Sequence, residues 1–209
     1  MKTSQLFTDQ PAVLCKYRDW SNEYHRTILT ERELYFAPPS CFDDKTDCRN
    51  DIRDFSQRER EINFQELDKR CGILSMTKNQ NNYALWEEYA NHSQGFMVAF
   101  DGHLLCRIFS YCGDVSYFDK LPPIKYRKEQ SVEEYIYHKY FAKLMKYEYE
   151  QEFRLIISDF QCLSKEKRKV KIPAEAYKYI KLGKNMTVED VNALTTCLPA
   201  ELSDIPIYI

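Results

Sequence analysis

The sequence predicts an α+β domain: a mixed, split β-sheet with flanking helices. Three observations carry that expectation. Strand-length apolar runs interleave irregularly with helix-length amphipathic runs, unlike the regular repetition of a doubly wound parallel sheet. The 209 residues suit one domain, which at that length buries roughly 70% of its unfolded surface and needs no metal or disulfide to fold. No repeat or low-complexity tract breaks residues 1–209, and only "LPPIKYRKEQS" (121–131), with a proline pair and clustered charge, has the composition of a flexible connection.

"PAVLCKYR" (11–18) is an apolar run ending in charge, hence a buried strand. "SNEYHRTILTERE" (21–33) opens on a candidate cap, Ser21, and sets Tyr24, Ile28 and Leu29 on one helical face. "ELYFAPP" (33–39) is a strand stopped by prolines, and "CFDDKTDCRND" (41–51) has turn composition. Residues 54–70 form a solvated helix with a thin stripe of Phe55, Ile62 and Leu67. "CGILSMTKN" (71–79) is a strand, 81–95 a helix closed by Gly95, and "GFMVAFD" (95–101) a buried strand. A short helix, "GHLLCRIF", and a strand over 111–119 lead to the 121–131 segment. Residues 131–150 begin with a capping-box pattern, Ser131 and Glu134, and predict one long helix. "EFRLIIS" (152–158) is a strand, "KEKRKVKI" a solvated basic turn into another, and "YKYIKLG" (177–183) a third. A helix over 187–198, capped by Thr187 with Asp190, and the strand "DIPIYI" close the chain.

Composition narrows the function classes. Thirty Lys+Arg against thirty-two Asp+Glu give a net charge of −2, which implies neither wholesale polyanion binding nor a strongly acidic partner. No apolar run approaches the ~18 residues of a membrane span. "MKTSQLFTDQ" lacks a signal-peptide core, so a soluble, cytoplasmic protein with no membrane partner is expected. Only five glycines occur, with no G-x-G-x-x-G and no G-x-x-x-x-G-K-[ST], which disfavours Rossmann and P-loop nucleotide binding. The eight cysteines include no C-x-x-C pair and sit mostly in apolar contexts, reading as reduced, buried small hydrophobes. A metal reading would have to recruit Cys41 and Cys48, or His103 and Cys106, at spacings unusual for zinc.

The stretch "KYEYEQEFRLIIS" (146–158) sets Glu148, Glu150 and Glu152 on alternate positions at the mouth of an apolar strand, with Arg154 beyond them. Like charges so crowded need an offset. Either Arg154 and nearby cations hold a structural salt-bridge cluster, or the carboxylates face something that develops positive charge. Two further clusters lie at strand ends or edges: Arg18 after Tyr17, and the alternate hydroxyls Ser75 and Thr77. Arginine, hydroxyl strand and Glu-x-Glu together suit cleavage of the nicotinamide–ribose bond of NAD, which builds oxocarbenium-like charge as glycoside cleavage does. Glu152 would stabilise that charge, Glu150 would activate an acceptor nucleophile, and Arg18 would grip the dinucleotide bidentately. Ser75 and Thr77 would brace the carboxylate and the ribose. On the helix over 81–95, Trp86, Tyr89 and His92 fall at i, i+3 and i+6. They are a core stripe or, with Tyr17, wall the nicotinamide pocket, His92 donating a hydrogen bond.

These three motifs, in this order, resemble those of the arginine–serine–glutamate class of ADP-ribosyltransferases, although Met76 and Thr77 depart from that class's S-T-S strand. The resemblance implies an ADP-ribosyltransferase-like sheet, NAD as substrate, and Glu152 as catalytic carboxylate. Over residues 13 to 183 the chain also resembles a bacterial family catalogued as domain of unknown function 2971. It does so through "LCKYRDW", "ELYFAPPSCFDDKTDC", "GILSMTKNQNNYALWEEYANHSQGFMVAFD", "KYEYEQEFRLII" and "IKLG". "FDDKTD" stands where that family tends to have F-N-D-P-F-[DE], and Tyr147 where it often has Trp. That resemblance implies a phage-defence or toxin role and a defence-system partner protein but no assigned reaction; the NAD reading calls for an unidentified macromolecular acceptor, protein or nucleic acid.

Competing readings accompany each feature. Arg18 could be a structural cation that neutralises Glu152, and Ser75 and Thr77 ordinary strand residues. Asp43, Asp44 and Asp47, with a ladder glutamate, would suit a metal-dependent nuclease or phosphodiesterase, although aspartate-rich loops are turn formers. The basic run 165–171 could touch a phosphate backbone. His25, His103 and His138 have no evident partner. A non-catalytic interaction module of a defence system would need none of this chemistry.

Overall fold

The computed structural model describes residues 10–50, 56–109, 111–124 and 132–209. β1 (Val13–Arg18) leads into α1 (Glu23–Thr30), whose cap is Asn22, its side chain accepting from the Tyr24 N–H; Ser21 instead hydrogen-bonds Asp19. β2 (Glu33–Tyr35) and the aspartate-rich loop follow, then α2 (Gln57–Arg70), capped by a reciprocal Ser56–Glu59 box. Next come β3 (Cys71–Thr77), α3 (Tyr83–Tyr89), β4 (Phe96–Asp101), α4 (Gly102–Ile108), β5 (Tyr111–Asp114) and β6 (Ser116–Phe118). α5 (Val132–Tyr140) and β7 (Ala142–Leu144) precede β8 (Glu152–Ser158), β9 (Lys169–Lys171), β10 (Tyr177–Leu182), α6 (Val188–Thr196) and β11 (Ile207–Tyr208).

The architecture is α+β. Seven strands form one sheet in the order β11-β10-β4-β1-β3-β8-β5, antiparallel throughout except for the parallel β10–β11 pair; β2 with β9 and β6 with β7 make two small ribbons. One face carries a continuous core that includes Leu14, Leu74, Met76, Val98, Phe100, Phe153 and Leu155. On the other face the apolar side chains fall into two separate clusters. Cys15, Tyr17, Met97 and Ala99 lie under α3, while Cys71, Ile73 and Ile156 lie under α2 and α5.

The division follows from strand pairing. β1 pairs with β4 along its whole length but with β3 only where Cys15 faces Thr77, and beyond that point the two strands part. Along β3 the side chains of this face grade from Cys71 and Ile73 to Ser75 and Thr77; along β8 they grade from Ile156 to Arg154 and Glu152. Cross-strand pairing sets Ser75 against Arg154 and Thr77 against Glu152. A polar patch therefore occupies the seam between two apolar clusters.

Several local expectations give way to tertiary demands. Residues 131–150 do not form one helix: α5 ends at Tyr140, Ala142–Leu144 pairs with β6, and Met145–Glu150 is a 3-10 helix. A continuous helix would carry Lys143 away from the two carboxylates that it neutralises. The stretch 111–119 is two strands in different sheets. Gly95 is not a left-handed cap; α3 ends through Asn91, His92 and Ser93 at φ of 48°, 53° and 63°, and Gly95 is small because a Cβ there would lie 2.0 Å from the Arg18 carbonyl oxygen. In α2 the buried residue is Phe64, whereas Ile62 is 52% exposed. Arg168, within the supposedly solvated basic run, is buried and donates to the carbonyls of Asp68 and Cys71 where α2 passes into β3. Phe55, Ser131 and most of the 121–131 segment lie outside the described residues. No helix among the described residues is long and apolar enough to cross a membrane.

Candidate functional site

Where β1 and β3 part, a cavity of about 660 Å³ opens, a volume typical of small-molecule and cofactor sites. Arg18 from β1, Ser75 and Thr77 from β3, and Glu150 and Glu152 from the entry to β8 all line it. Three remote segments thus meet at one cavity. Tyr17, Tyr89 and His92 line it as well, His92 at the rim, 73% exposed and 2.9 Å from Glu87. Trp86 is not among the lining residues; its ring packs edge-on against Tyr17 with centroids 5.0 Å apart, in the cluster under α3.

The floor is an ion cluster. Arg154, 1% exposed, grips Asp47 through both terminal nitrogens (3.0 and 2.5 Å) and Glu152 through Nε (2.7 Å). Lys143 Nζ lies 2.5 Å from Glu150 Oε2 and 3.1 Å from Glu152 Oε2. The Tyr89 hydroxyl donates to Glu150 Oε1 at 3.3 Å, and the Ser75 hydroxyl to the Glu152 carboxylate. Glu148 remains exposed and outside the cluster. The first answer to the crowding of glutamates therefore holds: Arg154 and Lys143 offset the charge, and the offset carboxylates also border a cavity.

Glu150 and Glu152 do not reach it as neighbours on one extended strand. Gln151 sits in the left-handed region (φ 45°, ψ 51°), so Glu150 ends the 3-10 helix and Glu152 begins β8, and the kink turns both carboxylates to Lys143. Thr77 holds that kink rather than a carboxylate, donating to the Glu150 carbonyl at 2.7 Å. The Glu152 N–H donates to the Tyr117 hydroxyl at 2.8 Å.

The two glutamates are driven apart electrostatically. Burial raises the Glu152 pKa, but Arg154 and Lys143 outweigh it and hold the carboxyl well below the usual range, so Glu152 is an anion. At Glu150 burial prevails and the pKa rises. Asp47, Glu150 and Glu152 face Arg154 and Lys143, three carboxylates against two cations, so an ionised Glu150 leaves net negative charge. Lys16 does not cancel it fully: burial and then Arg18 push its pKa down while its Nζ donates to the Ser75 carbonyl at 2.5 Å. That contact ties the open edges of β1 and β3 together.

At the other side of the gap Arg18 makes no hydrogen bond or ion pair among the described residues, and burial lowers its pKa to about 10. His25, on α1, lines the cavity too and accepts the Asp19 N–H at Nδ1 (3.2 Å). Asp44 also lines the cavity: its Oδ1 accepts from Thr46, while its Oδ2 is buried without a partner. No three His, Cys, Asp or Glu side chains among the described residues are grouped to hold a metal ion; Asp47 is held by Arg154 and Asp44 by the Thr46 turn. Of the eight free cysteines, Cys15, Cys48, Cys71 and Cys106 are buried, and Cys41 and Cys162 are exposed.

Sequence reasoning missed Lys143, which it set inside a long helix, and the part played by Lys16, Asp47 and His25. Only the Glu-x-Glu-x-Arg spacing hinted that a buried cation cluster was needed. No family model matches the chain, and no curated protein or solved structure matches it.

Proposed function

We propose that the protein is a cytoplasmic enzyme of ADP-ribosyltransferase-like arrangement that cleaves NAD and passes ADP-ribose to a macromolecular acceptor or to water. The observation that carries this reading is the convergence of Arg18, Ser75 and Glu152 on one cavity at the seam of the sheet. The C1′–N1 bond breaks with its electron pair leaving on nicotinamide, and the sugar carbon becomes cationic. A carboxylate fixed in place before the reaction serves that transition state more than the ground state. Glu152 has the required character, because Arg154, Lys143 and Ser75 keep it ionised and immobile. Glu150, with its raised pKa, suits the general base that takes the proton of the attacking hydroxyl or water. Arg18, a cation with no ion pair among the described residues, offers charge to the dinucleotide, and Asp44 Oδ2 offers an acceptor to a sugar hydroxyl.

Release of nicotinamide from NAD tests the reading. Glu152→Gln is expected to abolish release in a protein whose circular dichroism is unchanged. Because Glu152 also supports the ion cluster, Arg18→Gln is the companion variant; it breaks no hydrogen bond or ion pair among the described residues and should reduce release by about 10²-fold, the scale of a lost transition-state donor. Undiminished release from both folded variants overturns the proposal.

A further inference from the structure

We propose that the Arg18 end of the cavity is a phosphate subsite in which His25, as neutral imidazole, is the second ligand-binding residue, built for the pyrophosphate of a dinucleotide. The proposal deepens the NAD reading and rests on it for the ligand's identity, but the subsite has its own chemistry. His25 stands in the first turn of α1 and lines the same cavity as Arg18. Its Nδ1 accepts the Asp19 N–H, which fixes the tautomer: Nε2 carries the proton and is the nitrogen left for a ligand. Arg18 brings a planar fork with no ion pair among the described residues. A fork and a neutral N–H donor suit a phosphate oxyanion, as arginine binds phosphate bidentately and an adjacent donor completes its coordination.

The charges around His25 give the subsite a signature. Burial, then Arg18 and Lys16, lower its pKa to about 4, with the Asp19 carboxylate opposing them. Because Nδ1 keeps accepting the Asp19 N–H, the imidazole stays neutral when a phosphate binds, and Nε2 remains a donor throughout the neutral range. Its share of anion binding should therefore not follow an imidazole titration between pH 6 and pH 8.

Titration calorimetry of the full chain with inorganic pyrophosphate and with ADP-ribose tests this. Both ligands should bind. Arg18→Gln and His25→Ala should each weaken both by about tenfold or more, the loss of one hydrogen bond to a charged group. Arg107→Gln, at an exposed arginine near the end of α4, should leave binding unchanged. Between pH 6 and pH 8 the ratio of wild-type to His25→Ala affinity for ADP-ribose should stay constant, and a ratio that follows an imidazole titration overturns the neutral-imidazole role. Equal binding by the wild-type and His25→Ala chains overturns the proposal, as does equal weakening by Arg18→Gln and Arg107→Gln, which means general charge attraction. Pyrophosphate bound without ADP-ribose overturns the dinucleotide as occupant. Both bound without nicotinamide release from NAD leaves the subsite standing and removes the enzymatic reading; release undiminished in His25→Ala with no pyrophosphate binding does the reverse.

Discussion

Arg154 and Arg18 border one cavity and differ in almost everything else. Arg154 spends its guanidinium on Asp47 and Glu152 and also donates to the Tyr140 carbonyl. Arg18 meets no acceptor among the described residues, and burial lowers its pKa where carboxylates raise that of Arg154. A buried charge is tolerated when geometry satisfies it and is costly when it is not. Arg154 is accordingly part of what holds β8, the aspartate loop and the end of α5 together. Arg18 is a standing cost to the free protein that a bound anion would relieve.

Removing Arg154 breaks the comparison most severely. Arg154→Met strands Asp47 in the interior and leaves Glu152 with Lys143 as its remaining cation, and loss of one partner of a buried pair costs ~3–5 kcal/mol. Urea denaturation should show a midpoint lowered by that amount, or no folded state. Lys143→Met should cost less, about 2–3 kcal/mol, because Arg154 still holds Glu152 and Glu150 can accept a proton. A Lys143→Met chain as stable as the wild type would mean that the cluster is not a structural unit. Gly95→Ala sets a methyl group 2.0 Å from the Arg18 carbonyl oxygen, a backbone clash that should cost about 1–3 kcal/mol and disturb the pairing of Arg18 with Phe96.

The contrast between the arginines also marks how far the sequence could be read. Short apolar runs located β1, β3, β4, β8 and β10, because strands buried within a sheet leave an apolar stretch in the sequence. The Arg18, Ser75, Glu152 set was legible because each residue sits at the end or on the polar stretch of such a strand. Lys143 was not. "AKL" within a helix-rich context has no strand signature of its own, and it becomes β7 only because Ser116–Phe118 lies beside it. The left-handed Gln151 left no glycine or asparagine to announce it, so Glu150 and Glu152 read as neighbours on one strand although they close on Lys143 from two different elements. Pairing between segments far apart in the chain set these features, and local propensity does not record it.

Arg18→Met should change stability within about 0.5 kcal/mol, far less than Arg154→Met, because no hydrogen bond or ion pair among the described residues is lost. A gain is the more telling outcome, since the substitution removes an unpaired charge from a partly buried site. A loss as large as that of Arg154→Met would mean that Arg18 is structural, and the contrast drawn here would fail.

The smallest effect is a slope, and it reads Arg18 through its neighbour. His25 has a folded-state pKa of about 4 against an ordinary 6.5, lowered by burial first and then by Arg18 and Lys16. The unfolded chain binds more protons than the folded chain between those values, so stability is full above pH 6.5 and falls as the pH drops toward 4. His25→Gln should remove that part of the slope and leave the steeper loss at lower pH, where Glu152 is protonated. Arg18→Met should only narrow the window, because burial and Lys16 still act on the imidazole after the guanidinium is gone. Denaturation midpoints from pH 4 to pH 7 in the wild-type, His25→Gln and Arg18→Met chains separate the three cases. If Arg18→Met leaves the wild-type slope untouched, Arg18 does not act on His25, and the two residues do not share one subsite.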